Sequence, residues 1–292
     1  MGYAKEWLGL LKNQKYSKKS LDTYQKALQR FDEFLLLTSI SRVQDVTAEH
    51  LSHYRLYLVG RGLSDATIYV YLRSVRMLFK YLEDNQQVFI NPAASMVLPR
   101  CERKLQGVPC EEAIKRLLLQ PNTGTAVGVR DRALLETAYS TGVRRGELCA
   151  LTVFDPDVKQ GTLRVMGKGR KERVVPLGKH AVLWLKQYME NARAKLTKNP
   201  DEVSLWITKT GTKLSYARID KLIREYAAAA GLSRVSPHTL RRACATHMLR
   251  NGAPPVKIQM LLGHANLKSL SQYLRVTITD MKKMHQKSKP GR

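Results

Sequence analysis

The sequence has few of the features that mark secreted, membrane-anchored or metal-binding proteins. Its 292 residues include only four cysteines, and none of them forms the CxxC pair of a zinc or redox site. This predicts a reducing compartment and no disulfide framework. No apolar run approaches the roughly 20 residues of a membrane helix, and the N-terminus lacks the apolar core of a secretion signal. We therefore expect a cytoplasmic protein that is not embedded in a membrane.

Acidic side chains are also scarce relative to basic ones. The chain carries 50 Lys and Arg against 24 Asp and Glu, a formal net charge of +26. Residues 1–100 hold 14 basic and 9 acidic side chains, whereas residues 101–292 hold 36 and 15. Such an excess is costly in self-repulsion unless the partner is a polyanion. Nucleic acid is the favoured partner, and an anionic membrane surface is a weaker alternative because no basic block adjoins an apolar anchor.

Hydrophobic periodicity and chain length predict two folded regions. Residues 1–90 contain apolar side chains at helical spacing and no strand signal. They predict a helix over 17–37, a second helix capped by Asp45 or Thr47, and a third capped by Ser64. Residues 91–109 contain two Xaa-Pro breaks among basic side chains, which indicates a linker.

The region after the linker is predicted to be mainly helical with one β-hairpin. Strands are expected at 162–166 and 173–177, on either side of a glycine-rich turn. The fold class is therefore mainly α with a small β-sheet. The predicted helices span 110–119, 129–141, 145–151, 180–197, 215–230, 236–250 and 256–262.

Two candidate sites lie in the region after the linker, one at a junction between two helices and one at the hairpin. Arg144 follows the helix stop Gly142, where a guanidinium can point its planar fork at a phosphate. By itself this motif is more typical of an exposed arginine with a capping glutamate, Glu147. Lys168 stands between two glycines at the hairpin tip, where the backbone can approach another molecule closely. A solvated basic turn is the simpler interpretation, and the GxxxxGK[ST] spacing of a nucleotide P-loop is missing.

Two further candidate sites lie near the C-terminus. His238 and Arg241 are three residues apart at a helix start, a place that favours anions. A capping histidine beside an exposed arginine, or a helix-turn-helix over 236–262, would also fit. His264 follows the helix stop Gly263, and Tyr273 follows nine residues later. By itself Tyr273 is more typical of a half-buried packing tyrosine.

Together these residue types suit phosphodiester chemistry. A tyrosine hydroxyl can attack phosphorus while two arginines stabilise the negative charge that develops. A histidine can assist removal of the tyrosine proton, and a lysine can protonate the departing sugar oxygen. The sequence shows no carboxylate cluster for Mg²⁺, which argues against a two-metal nuclease. We expect neither a cofactor nor a metal.

The order and spacing of these motifs resemble those of the tyrosine recombinases (phage integrase family). The similarity is greatest to the short Xer-like and transposon-resolvase subgroup, and it covers nearly the whole chain. The matching motifs are Thr-Gly-Val-Arg144, Gly-Lys168-Gly-Arg-Lys-Glu-Arg, His238-Thr-Leu-Arg241, and Leu-Gly-His264 with Tyr273. The sequence departs from the family at Arg242 and Arg275, where His is common, and at Leu270, where Thr is frequent.

The resemblance implies a domain organisation. Residues 1–90 would form a helical core-binding (SAM-like) domain that binds DNA, 91–109 a basic linker, and 110–277 an α+β catalytic domain. Residues 278–292 would form a tail that is exchanged between protomers, with a frayed basic terminus as the alternative.

The resemblance also implies the role of each site residue. Arg144 and Arg241 would hold the scissile phosphate, with Glu147 in support. Lys168 would be the general acid, His238 a base or proton shuttle, His264 a hydrogen-bond donor to phosphate, and Tyr273 the nucleophile. Further DNA contacts are expected from Arg145, Arg170, Lys171, Arg173 and Arg242.

The implied function is site-specific DNA recombination through a 3′-phosphotyrosine intermediate and a Holliday junction. The expected partners are a double-stranded recombination site, three further copies of the chain on that DNA, and accessory proteins. Free in solution, the chain is expected to be a monomer or weak oligomer, located with the bacterial nucleoid. Two alternatives remain: a type IB topoisomerase-like relaxing enzyme, and a catalytically silent DNA-binding regulator.

Overall fold

The structure is a computed structural model, and it describes residues 2–99, 107–167 and 171–263. The chain forms two compact units, residues 1–104 and 105–292, and each is described by itself. None of the helices within the three described ranges combines the length and the apolar character needed to cross a membrane.

The first unit is helical, as its periodicity predicts. Serine or threonine hydroxyls at Ser17, Thr47 and Ser64 accept hydrogen bonds from the backbone N–H three residues later and so begin three of the helices. Thr47, rather than Asp45, is the cap of the second predicted helix. The helices are α1 (Gly2–Asn13), α2 (Lys18–Leu37), α3 (Ala48–Gly60) and α4 (Asp65–Asp84), with a 3-10 turn at Val43–Asp45.

Aromatic rings form the centre of this first core. Phe31 contacts Tyr54 edge-on with ring centroids 4.9 Å apart, and it meets Phe79 edge-on with centroids 6.2 Å apart. All three side chains are almost fully buried. Because these rings come from α2, α3 and α4, burying them fixes how the three helices pack.

The second unit joins helices to a small sheet. Its helices are α5 (Glu111–Leu118), α6 (Ala126–Thr141), α7 (Arg145–Ala150), α8 (Lys179–Gln187), α9 (Arg193–Leu196), α10 (Tyr216–Ala229), α11 (Pro237–Arg250) and α12 (Pro255–Leu262). A π-helical turn over Tyr188–Ala192 joins α8 to α9, so the helix predicted at 180–197 is continuous but widened in the middle. The prediction of a mainly helical fold with a small β-sheet is confirmed.

The sheet contains the predicted hairpin and one additional strand. Strands β1 (Pro156–Asp157), β2 (Thr162–Met166) and β3 (Glu172–Pro176) pair antiparallel in that order. The two-residue β1 is too short to produce an alternating pattern, which is why the sequence did not reveal it. On β3, Arg173 and Val175 share a face, and Val175 is fully buried. Arg173 therefore points toward the interior side of the sheet.

Candidate active site

Arg144 stands at the junction between two helices. Gly142, with φ +58°, ends α6 in the left-handed conformation, and Arg144 is the extended residue just before α7. The carboxylate of Glu147 accepts hydrogen bonds from the Arg144 backbone N–H and from its Nη1, both at 2.8 Å. The capping glutamate is thus present, and it also orients the guanidinium. The Arg144 side chain remains 43% exposed and can still reach a ligand.

Glu147 also binds a second arginine, which comes from the sheet. Arg173 on β3 donates from Nη1 and Nη2 to the two carboxylate oxygens of Glu147, at 3.0 and 2.7 Å. The Glu147 side chain is 6% exposed and that of Arg173 is 15% exposed. Such a fork-to-fork pair fixes both the separation and the plane of the two groups.

The electrostatic balance keeps Glu147 ionised. Burial by itself raises the pKa of its carboxyl, but the hydrogen bonds from Arg173 and Arg144 outweigh burial, so the pKa is lowered overall. At neutral pH a carboxylate therefore lies between the two guanidinium groups.

The C-terminal end of α12 brings the arginines together. Three successive backbone carbonyls there accept hydrogen bonds from three different arginines: Leu261 from Arg173 at 3.1 Å, Leu262 from Arg241 at 2.8 Å, and Gly263 from Arg144 at 2.9 Å. The last carbonyls of a helix lack partners within the helix and carry its partial negative charge. The three guanidinium groups therefore supply hydrogen bonds and positive charge to the C-terminal end of α12.

Arg241 is the buried member of this group. It lies on α11 with 2% of its surface exposed, and its Nη1 donates to the Gly142 carbonyl at 2.6 Å. Its two terminal nitrogens therefore join the end of α6 to the end of α12. Arg144 follows Gly142 by two residues, so these contacts bring the two arginines to the same pair of helix ends.

His238 lies one helical turn before Arg241. Ser236 caps α11 by accepting from the Thr239 N–H, and Pro237 occupies the first turn, as predicted. Partial burial, followed by the charges of Arg242 and Arg241, lowers the pKa of His238. The imidazole is therefore largely neutral at pH 7, the state in which it can accept a proton.

The residues expected to contact DNA have different surroundings. Arg145 is ion-paired with Asp220 and lies over the ring of Tyr216, 5.8 Å from its centroid. Lys171 is exposed just before β3, and Arg242 is partly buried on α11. The hairpin motif suggested a DNA contact for Arg173 as well, whereas in the structure its nitrogens are bound to Glu147 and Leu261.

Four predicted site residues, Lys168, Arg170, His264 and Tyr273, lie outside the described residues, as does the predicted tail 278–292. The described residues that precede Lys168 and His264 lie near the guanidinium of Arg173. A methyl group on Gly263 would lie 3.1 Å from the Arg173 guanidinium, and one on Gly167 would lie 3.6 Å from its Nη1. Gly167 and Gly263, the described residues just before Lys168 and His264, thus both lie near the Arg173 guanidinium.

Sequence reasoning missed the position of Arg173 and the carbonyls of α12. A signal for the first was present, because two-residue alternation along β3 puts Arg173 on the same side as Val175. No sequence signal indicates which carbonyls a distant guanidinium will bind.

The arrangement can bind and stabilise an anion. The exposed guanidinium of Arg144 and the buried one of Arg241 meet at the C-terminal end of α12. The neutral His238 lies one turn before Arg241 on α11, and all three belong to the more basic part of the chain. Among residues 2–99, 107–167 and 171–263, no three His, Cys, Asp or Glu side chains are grouped to hold a metal ion.

Comparison with known proteins gives matches to both units. Residues 110–279 match the phage integrase family, and residues 4–86 match the phage integrase N-terminal SAM-like domain. The chain is 34% identical to tyrosine recombinase XerD of Pseudomonas putida over 272 residues, which covers 92% of this chain and 90% of the relative. It is 34% identical to tyrosine recombinase XerC of Natranaerobius thermophilus over 292 residues, which covers 98% and 97%.

A solved structure supports the same fold. The XerH site-specific recombinase, crystallised with a palindromic difH substrate as a post-cleavage complex, matches with a TM-score of 0.78 at 24% identity. The match covers 92% of this chain and 79% of that one.

Proposed function

This chain belongs to the phage integrase family and is a site-specific recombinase that cleaves and rejoins DNA, and we propose that it does so through a covalent 3′-phosphotyrosine at Tyr273. The single observation that best supports this mechanism is the pairing of Arg144 and Arg241 at the end of α12, on the carbonyls of Gly263 and Leu262. The next residue in the chain is His264, and Tyr273 follows nine residues later.

Each residue then has a defined part in strand cleavage. The Tyr273 oxygen attacks phosphorus, its proton passes to His238, and the bond from phosphorus to the 5′-oxygen breaks. Lys168 gives its proton to that oxygen, which leaves as a 5′-hydroxyl. Arg144, Arg241 and His264 stabilise the charge on the non-bridging oxygens. The reverse reaction with a 5′-hydroxyl of a partner strand releases Tyr273 and reseals the DNA.

In this proposal one region binds the DNA core site and the other carries out catalysis. Residues 1–90 are a core-binding domain, 91–109 a basic linker, and 110–277 the catalytic domain, with 278–292 exchanged between neighbouring protomers. Four copies would assemble on two recombination sites and pass through a Holliday junction, with the chain located at the nucleoid and assisted by accessory proteins. Arg145, Arg170, Lys171 and Arg242 would contact the DNA backbone.

The two other functions that the motifs allow are disfavoured. Relatives that match over at least 90% of their length at 34% identity are tyrosine recombinases. A type IB topoisomerase-like enzyme would rejoin the original strand, and a silent regulator would form no covalent bond to DNA.

The test is to capture the covalent adduct. The full chain is incubated with a library of nicked duplexes of random sequence, in which the cleaved strand loses its short 5′-hydroxyl fragment and cannot reseal. Adducts that survive denaturation are purified and their DNA is sequenced. We expect enriched sequences with the wild-type chain and none with Tyr273→Phe, which retains DNA binding. Adducts with Tyr273→Phe, or their absence with the wild type, would contradict the proposal.

A further inference from the structure

We propose that Arg173 is a positioning residue for strand cleavage and not a DNA contact, an inference that rests on the proposed function. Its guanidinium locks the carboxylate of Glu147 and the end of α12 in the arrangement in which Arg144 can receive the scissile phosphate. Arg173 itself touches neither the DNA nor the reacting atoms.

The hydrogen bonds of Arg173 use every nitrogen of the side chain. Nη1 and Nη2 donate to Glu147 at 3.0 and 2.7 Å, and Nε donates to the Leu261 carbonyl at 3.1 Å. With 15% of the side chain exposed, little of it can meet a phosphate. The basic hairpin motif therefore includes an arginine that faces inward.

The contacts also connect three segments of the chain. Arg173 lies on β3, Glu147 on α7, and Leu261 on α12. Glu147 in turn holds the backbone and the Nη1 of Arg144, whose Nη2 reaches Gly263. These hydrogen bonds and the backbone from Leu261 to Gly263 together form a closed loop, so a shift at Arg173 affects both residues that hold the Arg144 guanidinium.

The guanidinium of Arg173 packs closely against Gly263. Gly263 has φ +62°, and a methyl group there would lie 3.1 Å from Cζ, Nε and Nη1 of Arg173. The flat guanidinium lies against the bare glycine at the point where α12 ends. A lysine could keep the charge, but a single ammonium cannot reproduce the planar fork and the third bond to Leu261.

The decisive variants are Arg173→Lys and Arg173→Gln, with Arg164→Lys as the matched control. Arg164 lies on the neighbouring strand β2 and pairs with Asp155 at 3.2 Å. Its guanidinium also donates to the Phe154 carbonyl, and neither partner belongs to α12. Three quantities are measured: the single-turnover cleavage rate at saturating nicked duplex of a captured sequence, the dissociation constant as a function of salt, and deuterium uptake by the peptide that contains residues 259–263.

We expect Arg173→Lys to slow cleavage by up to about 100-fold. The dissociation constant should stay within twofold and the salt dependence should be unchanged, even in Arg173→Gln, because no phosphate contact is lost. Deuterium uptake at the end of α12 should rise in both variants and not in Arg164→Lys. If Arg173 acts through Glu147, the double variant Glu147→Gln/Arg173→Lys should cleave no more slowly than the slower single variant.

Two results would overturn the inference. One is a drop of about 0.9 in the salt slope for Arg173→Gln with an unchanged cleavage rate, as expected for a lost phosphate contact. The other is unchanged deuterium uptake at residues 259–263 in both Arg173 variants. Deuterium uptake requires no DNA, so it tests the role of Arg173 even if the wild-type chain forms no adduct, a result that would instead defeat the proposed function.

Discussion

The Nη2 of Arg144 donates a hydrogen bond to the carbonyl of Gly263, 119 residues further along the chain, at 2.9 Å. Each residue lies beside a helix end that is closed by a left-handed glycine: Gly142 at the end of α6 and Gly263 itself at the end of α12. The position of Arg144, which is proposed to bind the scissile phosphate, therefore depends on how these two helix ends meet. Arg241, which donates to Gly142 and Leu262, holds them together.

Gly142→Ala should destabilise the second unit by about 2–4 kcal/mol. The residue has φ +58°, and an added methyl group would lie 2.7 Å from Cδ2 of Leu262. The substitution thus combines backbone strain with a clash at the junction of α6 and α12. The free energy of unfolding would be measured by calorimetry or by denaturant titration.

The control for that experiment is Gly231→Ala. Gly231 also has a positive φ, of +73°, but nothing lies within 4 Å of the methyl group that would be added. Its substitution should therefore show the strain alone, about 1–2 kcal/mol. Equal losses in the two variants would mean that contact with Leu262 contributes nothing.

Glu147→Gln should lower the free energy of unfolding at pH 7 by on the order of 3 kcal/mol, because Arg173 would lose its buried anionic partner. The difference should depend on pH. The pKa of Glu147 is lowered in the folded chain, so its contribution is complete above the usual value of 4.5 and is lost as the pH falls through the lowered folded value. Urea unfolding from pH 7 downward would show the wild type and the variant converging in acid.

The matched control for Glu147 is Glu172→Gln, on the exposed side of β3. Its effect should stay within about 0.5 kcal/mol. A gap between wild type and Glu147→Gln that stays constant down to acid pH would show that the ionised carboxylate is not the stabilising form.

Local signals predicted the elements well and the contacts between them poorly. Ser17, Ser64 and Ser236 begin helices where the sequence indicates, because a cap depends on residues within one turn. The glycine stops Gly142 and Gly263 were predicted for the same reason.

The contacts that build the site join residues far apart in the chain. The bond from Arg173 to Leu261 spans 88 residues, and that from Arg241 to Gly142 spans 99. Such bonds depend on the packing of complete helices, which periodicity does not specify. The motif resemblance named Arg144 and Arg241 without showing that both would bind the end of α12.

The pKa of His238 should be below 6.5 in the DNA-free chain, as measured by NMR titration of its imidazole. Partial burial lowers the pKa first, and the charges of Arg242 and Arg241 add to the effect. Arg242→Gln should therefore raise the pKa of His238 while the other histidines titrate as in the wild type. A value at or above 6.5, or no change in Arg242→Gln, would remove this account of a neutral base at pH 7.

Lys168→Ala should slow cleavage of ordinary DNA by about 10²–10⁴-fold, the range for loss of a general acid. The departing 5′-oxygen is a poor leaving group unless it receives a proton. A substrate with sulfur in place of that oxygen needs little protonation, so the variant and the wild type should cleave it at similar rates in a single-turnover assay. Lys171→Ala, three residues away on the same hairpin, is the control and should show no difference between the two substrates beyond that of the wild type. If Lys168→Ala is equally slow on the sulfur substrate, its defect lies in binding or positioning the phosphate, and the proton must come from another group.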